Sequence, residues 1–332
     1  MMSSAAVYPW QQAVWQHLLS YKELQRIPQA LLITGVSGIG KRHLADAYAR
    51  ALMCHTPLSD YADCGKCQSC KLFAAQTHPD FLQVEPDEPG KAIGIDKIRQ
   101  LIVKLALKPQ FETQRVVIIS PADSLNNASA NAFLKCLEEP TARTCLILLT
   151  EKPSRLPATI RSRCQVVTCE VPERGMAEQW LQQQGVGENR NILLSLSQGA
   201  PLLARAYAQQ NFIAVRQDCF NAWVQVAEGK MNLVALAEQW QKTAVVDLHV
   251  LLTWMLGWVA DLIKSCCQIE ADRLCNPDMK KPLQALAKRL ELMRLYPFYD
   301  SLLIARSQLS TPINKQLLLE QLLISWSQLN KR

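Results

Sequence analysis

The stretch ALLITGVSGIGKRHLADAYARALM (30–53) restricts what this chain can fold into more than any other. An apolar run without polar alternation passes into a glycine-spaced turn, and a pattern of helical period starts directly behind it. A strand that is apolar on both faces needs cover on both, which points to a parallel sheet between two layers of helices. Further runs of the same kind follow, FLQVEP (81–86), VVIIS (116–120), LILLT (146–150) and VVTCEV (166–171), separated by helical patterns such as SANAFLKCLEE before Pro140. Residues 1–170 are therefore expected to form an α/β domain with a parallel sheet and helices on both faces. The glycine turn then falls at the carboxyl end of a strand, where sheets of this kind bind ligands.

Beyond 171 the strand signals stop. Helical patterns at 174–184 and 189–196, the turn SQGAP and one more helix form a small helical segment, 171–207. Residues 208–332 read as helical throughout, broken only at Gly229 and Gly257, and hold five of the eight tryptophans. The last helix is expected to open with Thr311 as N-cap and Pro312 in its first turn, both favoured there. Leu318, Leu322, Trp326 and Leu329 then mark one apolar face, whose default use is to close an internal bundle and whose alternative use is to dock a partner.

The most apolar segment, VLLTWMLGWVA (250–260), is far shorter than the ~20 residues a bilayer-spanning helix needs. No membrane contact is expected of it. MMSSAAVYPWQQ at the start lacks the basic and apolar regions of a secretory signal, so a cytoplasmic location is expected. Twelve cysteines in that compartment are reduced thiols or metal ligands rather than disulfides. The net charge of +7 is spread along the chain and permits, without requiring, contact with nucleic acid or an acidic partner.

Within the turn, GVSGIGKR (35–42) keeps Gly35, Gly40 and Lys41 at the spacing of a phosphate-binding loop, G-x-x-x-x-G-K-[ST]. Arg42 stands where a hydroxyl would ligate Mg²⁺, and a guanidinium has no lone pair for a metal. Hydrolysis also needs an acidic group at the end of a neighbouring strand. VVIIS instead runs into Ser120, Pro121 and Ala122 before Asp123. With two metal-holding elements missing, the chain is not expected to turn over ATP by itself, and binding of a nucleotide at Lys41 stays open.

Cys54, Cys64, Cys67 and Cys70 are spaced C-x9-C-x2-C-x2-C. Two successive C-x2-C steps bring four thiolates around one tetrahedral ion, the ligand set of structural zinc. The insertion 54–70 carries only Lys66 and Lys71 as nearby cations and Tyr61 and Phe73 as aromatics, so it reads as a staple for an excursion that lacks its own core. Downstream, Arg163 in IRSRC (160–164) is either a solvated surface residue or an arginine finger for a phosphoryl group bound to a neighbouring subunit.

Taken together, the loop GVSGIGK, the four-cysteine insertion, NAFLKCLEEP (131–140) and IRSRC resemble the clamp-loader branch of the AAA+ ATPases. The resemblance spans 7–332, carried by motif in the first part and by helical pattern in the last third. It implies a RecA-like AAA+ domain, a small helical lid and an all-α collar. It further implies structural zinc on the four cysteines, and Arg163, flanked by Ser162 and Cys164, as a finger acting in trans on ATP in a motor subunit. The helix containing Ser162 to Cys164 would lie at that subunit boundary, and the region from 208 would assemble a heteropentameric ring with motor (gamma/tau) and delta subunits. That ring would load the sliding clamp onto primed DNA for DNA polymerase III. Motor subunits of the family carry Asp-Glu where this chain has Ser120-Pro121, and an arginine where it has Leu202, which implies the non-hydrolysing member. An autonomous P-loop ATPase and a zinc-dependent nucleic-acid-binding module are the competing readings.

Overall fold

The apolar runs become a single parallel sheet in the computed structural model, which describes residues 7–58, 62–88, 90–139, 141–242, 246–269, 274–309, 311 and 313–329. Its strands are β1 (Ala30–Thr34), β2 (Phe81–Val84), β3 (Arg115–Ile119), β4 (Thr144–Thr150) and β5 (Gln165–Thr168), in the order β2-β3-β4-β1-β5. Leu32 of β1 lies in register with Leu148 on one side and Val166 on the other. β5 is shorter than the 166–171 run suggested, ending at Thr168.

α1 (Gln12–Glu23) precedes the first strand, and between the strands run α2 (Lys41–Met53), α3 (Gln68–Ala74), α4 (Ile95–Ala106), α5 (Asn127–Glu138) and α6 (Ala158–Arg161). The period of two along β1, β3 and β4 explains why their apolar runs are continuous. Leu31, Ile33, Val116, Ile118, Ile147 and Leu149 join one core with α1 and α2. Their sequence neighbours Leu32, Val117, Ile119, Leu146 and Leu148 join a second core with α4 and α5 on the opposite face. At roughly 1.5–3 kcal/mol for each such side chain removed from water, these two cores dominate the sheet's stability.

The helices α7 (Arg174–Gln183), α8 (Arg190–Leu196) and α9 (Pro201–Gln209) follow. The chain divides into two compact units, Met1–Arg205 and Ala206–Arg332, so α7 and α8 belong to the same unit as the sheet. The second unit is all helical: α10 (Phe212–Ala227), α11 (Leu233–Lys242), α12 (Leu248–Cys266), α13 (Lys280–Ala287), α14 (Leu292–Gln308) and α15 (Lys315–Leu329).

Tryptophans hold this second unit. Trp223 of α10 stacks on Trp326 of α15 at 3.8 Å between ring centres, and Trp326 Nε1 donates to the Trp223 carbonyl at 2.8 Å. Trp258 of α12 completes the cluster 5.3 Å from Trp223. Leu318, Leu322 and Trp326 are buried together with Leu319 and Leu323, so this face of α15 closes an internal core. A buried polar chain crosses the same unit. Asp261 accepts from the backbone of Cys275 and Asn276 at 2.8 and 2.7 Å, and Asn276 is bonded in turn to Arg216, which pairs with Asp278 at 2.7 Å.

Two expectations about this region need correction. Gly229 does end α10, with φ near +70°, but Gly257 lies inside α12 and interrupts nothing. Its missing Cβ admits Asn276, whose Nδ2 would stand 3.3 Å from a methyl group there. Thr311 is not the cap of α15, because its hydroxyl donates to the Gln308 carbonyl at 2.7 Å. Asn314 caps instead, its Oδ1 accepting from the backbone of Gln316 at 3.0 Å and Leu317 at 3.2 Å. Pro312, Tyr61 and Pro140 lie outside the described residues. Among the described residues no helix is long and apolar enough to cross a membrane.

Candidate functional site

The glycine turn leaves the carboxyl end of β1, and α2 starts at Lys41 with Gly40 as its left-handed N-cap, φ +93°. Gly38 also needs the left-handed region, at +72°, and a methyl group on it would overlap Leu203 of α9. The loop is held on both flanks by its own chain. Trp10 Nε1 and Gln11 Nε2 donate to the Ile39 carbonyl at 2.9 and 3.1 Å, and the Leu202 N–H donates to the Gly38 carbonyl at 3.2 Å. Tyr8 stacks on Trp10, and the edge of Trp180 from α7 meets both rings.

Lys41 is only 9% exposed and folds back onto the loop. Its ammonium donates to the carbonyls of Gly35 and Val36, both at 2.8 Å, and lies 3.8 Å from Glu151. Burial pulls its pKa below the ordinary lysine value, and Glu151 works against that shift. Gly35, Gly40 and Lys41 are thus brought together as the spacing predicts, but the lysine's donors are engaged by its own loop. A cavity of about 260 Å³ beside them is lined by Gly38, Lys41, Ser120, Thr150, Glu151 and Leu202.

Arg42 also borders this cavity, but its guanidinium is engaged by two carboxylates. Its Nε donates to Asp46 at 3.0 Å one turn along α2, and its Nη1 bonds Glu85 just beyond β2. The residue that replaced the magnesium-binding hydroxyl therefore braces α2 against the end of β2. Asp123, the first acid after β3, is engaged by the Thr150 hydroxyl at 2.6 Å. Glu151 and Thr150 line this candidate site although the motif reading did not single them out. Their signal was positional, since both sit at the carboxyl end of the strand next to β1.

The four cysteines of the insertion converge, with their Sγ atoms all within 4.8 Å of one another. Cys54 and Cys67 are 3.9 Å apart, and Cys64 and Cys70 are 4.0 Å apart. A tetrahedral ion with Zn–S bonds of ~2.3 Å sets sulfurs about 3.8 Å apart, so the spacing fits. Backbone N–H groups of Cys64, Lys66, Cys67 and Cys70 point at the sulfurs of Cys54, Cys64 and Cys67 at 3.3 to 3.5 Å, which favours thiolates there, while burial pushes the Cys54 and Cys70 thiols up. The Thr56 hydroxyl and then the backbone N–H groups of Lys66 and Cys67 hold the Cys64 thiol down to about 6.

A buried polar chain fastens this insertion to the sheet. Ser69, between Cys67 and Cys70, bonds His78 Nε2 at 2.9 Å, while the Asp80 N–H donates to His78 Nδ1 at 3.1 Å. With Nδ1 accepting, Nε2 carries the proton, so His78 donates to Ser69 and does not activate it. Asp80 is paired with the buried Arg115 of β3 at 3.4 Å.

Arg163 stands in the turn between α6 and β5. Ser162, Arg163 and Cys164 lie past the end of α6, not on a helix as expected, because the fully buried Ile160 and the buried Cys164 pull the chain inward on either side. Cys164 packs in the core on the α4 and α5 face, and this burial pushes its thiol up to about 11. The arginine between these anchors keeps 37% of its side chain exposed.

Two family models match this chain: "DNA polymerase III, delta subunit" over residues 10–173 and "DNA polymerase III, delta subunit, C terminal" over 210–328. Among curated proteins, the DNA polymerase III subunit delta' of Pseudomonas aeruginosa is 34% identical over 98% of this chain and 98% of its own length. The Escherichia coli protein of the same name is 32% identical over 96% and 94%. Among solved structures, a DNA polymerase III gamma subunit-related protein from Thermotoga maritima matches 95% of this chain and 99% of its own at 18% identity and TM-score 0.47.

Proposed function

The chain belongs to the delta-prime subunits of DNA polymerase III, and from that membership we propose that it is the non-hydrolysing stator of the clamp loader. In this reading its own pocket does no chemistry, and Arg163 completes the ATP site of an adjoining motor (gamma/tau) subunit. The motor subunits, the delta subunit and this chain form a heteropentameric ring that places the sliding clamp on primed DNA. Residues 1–170 are the RecA-like domain, 171–207 the lid and 208–332 the collar through which the ring assembles.

The observation that carries the reading is the contrast in how two cations are held. Lys41 is buried and bonded to Gly35 and Val36. Arg163 is exposed on a turn whose neighbours are fixed in the core. A guanidinium delivered into a neighbour's site stabilises the charge that develops on the transferred phosphoryl group, and such fingers contribute ~10³–10⁵ in rate. The ion that this chemistry requires would be held by the neighbour, which is why Arg42 and Ser120 cost this chain nothing in that role. Arg163→Ala in the reconstituted ring is expected to slow clamp- and DNA-stimulated ATP turnover at the adjoining site by about 10³-fold. An unchanged rate removes the finger assignment.

Cys54, Cys64, Cys67 and Cys70 are read as a structural zinc site, since four thiolates leave no open coordination position. Bound there, the ion would replace the core that 54–70 lacks. Elemental analysis is expected to find one zinc per chain and none in Cys67→Ser. Loss of metal should sharpen as pH falls, because protons compete for the thiolates. A Cys67→Ser chain that keeps its full zinc content would rule out the site.

A further inference from the structure

Glu138 closes α5 within the stretch NAFLKCLEEP, and the function proposed above gives it no task. Its Oε1 accepts from Arg163 Nη2 at 2.8 Å, while Arg163 Nη1 donates to the Thr159 carbonyl at 3.0 Å. Two nitrogens of one guanidinium are therefore fixed by acceptors on two different elements, the end of α5 and the first turn of α6. An arginine on a surface turn otherwise samples many rotamers, and its planar fork loses least when it is set beforehand.

The placement of Glu138 is locally unfavourable. It is the last residue of α5, where the helix dipole disfavours a carboxylate and favours a cation. Glu138 and Arg163 are both substantially exposed, so their ion pair adds little to folding stability. What the pair does achieve is a single direction for the guanidinium, with three of its five N–H groups uncommitted to Glu138 or Thr159.

We propose that Glu138 is a positioning residue for Arg163, holding the guanidinium in the orientation in which its remaining N–H groups meet a phosphoryl group on a neighbouring subunit. This rests on the finger reading of Arg163. Positioned donors need no rearrangement as charge develops, so the loss on removing Glu138 falls on the chemical step rather than on nucleotide binding.

The test is ATP turnover by a reconstituted ring in which only the motor subunit beside this chain keeps its P-loop lysine. Glu138→Ala is expected to lower kcat about fivefold at nearly constant KM, the scale of one exposed charged hydrogen bond. Glu138→Gln, which keeps an acceptor oxygen, is expected to recover part of the loss. In the Arg163→Ala background Glu138→Ala should change nothing further, which a general structural role would not reproduce. If Arg163→Ala slows the ring while Glu138→Ala leaves or raises kcat, the positioning role is overturned and the finger stands. If Arg163→Ala leaves the rate unchanged, the finger reading falls and the positioning role falls with it.

Discussion

Lys41 and Arg163 are both cations that a nucleotide phosphate would attract, and the fold treats them in opposite ways. Lys41 begins the helix behind the inner strand β1, buried, with its ammonium spread over Gly35, Val36 and Glu151. Arg163 sits near the edge strand β5, more than a third exposed, with a carboxylate and a carbonyl on part of its guanidinium. The first cation is satisfied by its own loop and serves the fold. The second has donors left over and stands where another molecule can reach it. A phosphate-binding motif thus records where a cation sits, while its partners determine whether it remains available.

The widest separation between the two regions should appear in ring turnover. Lys41→Met is expected to leave the adjoining site's rate within about twofold, against the ~10³-fold loss for Arg163→Ala. Equal losses from the two variants would mean that this chain's own loop takes part in catalysis. Next in size is a stability effect confined to the loop. Gly38→Ala places a side chain at positive φ against Leu203 and should cost about 2 to 4 kcal/mol in urea unfolding. A neutral result would mean that α9 does not close on the loop as described. The smallest effect belongs to Arg42→Ser, which restores the motif's hydroxyl. It should lose the braces to Asp46 and Glu85, about 1 kcal/mol, and gain no ATP turnover by the isolated chain, because Ser120 and Pro121 still supply no carboxylate. Measurable turnover in that variant would collapse the contrast between a structural and a chemical cation.

Much of this was legible in the residues themselves. Apolar runs bounded by turns read as doubly covered strands, and β1, β3 and β4 feed alternate side chains into two cores, whereas the edge strand β5 buries Val167 on one face and leaves Val166 exposed. The four-cysteine spacing also specified its cluster, since C-x2-C steps leave sulfurs few other places to go. Helix ends were less readable. Thr311 and Asn314 are both good caps by type, and only the backbone path shows that Asn314 faces the free N–H groups. Gly257 looked like a break because glycine weakens helices, but the approach of Asn276, nineteen residues later, explains its small size. The turn at Ser162 to Cys164 was misplaced onto a helix for a similar reason, since the burial of Cys164 beneath the sheet is a long-range contact without a local signature.

By itself, the sequence determined the layered α/β class, the location of the phosphate-type loop and the four cysteines that converge, because each follows from residue type and short spacing. Tertiary structure alone decided what the charged groups are used for. Arg42 became a brace, Lys41 a self-satisfied donor and Glu138 a partner for Arg163 through contacts that combine near neighbours with distant residues, Glu85 for Arg42, Glu151 for Lys41 and Glu138 for Arg163. A side chain's charge is local information. The acceptor that consumes it, or leaves it free, is set by which distant segments the core brings alongside.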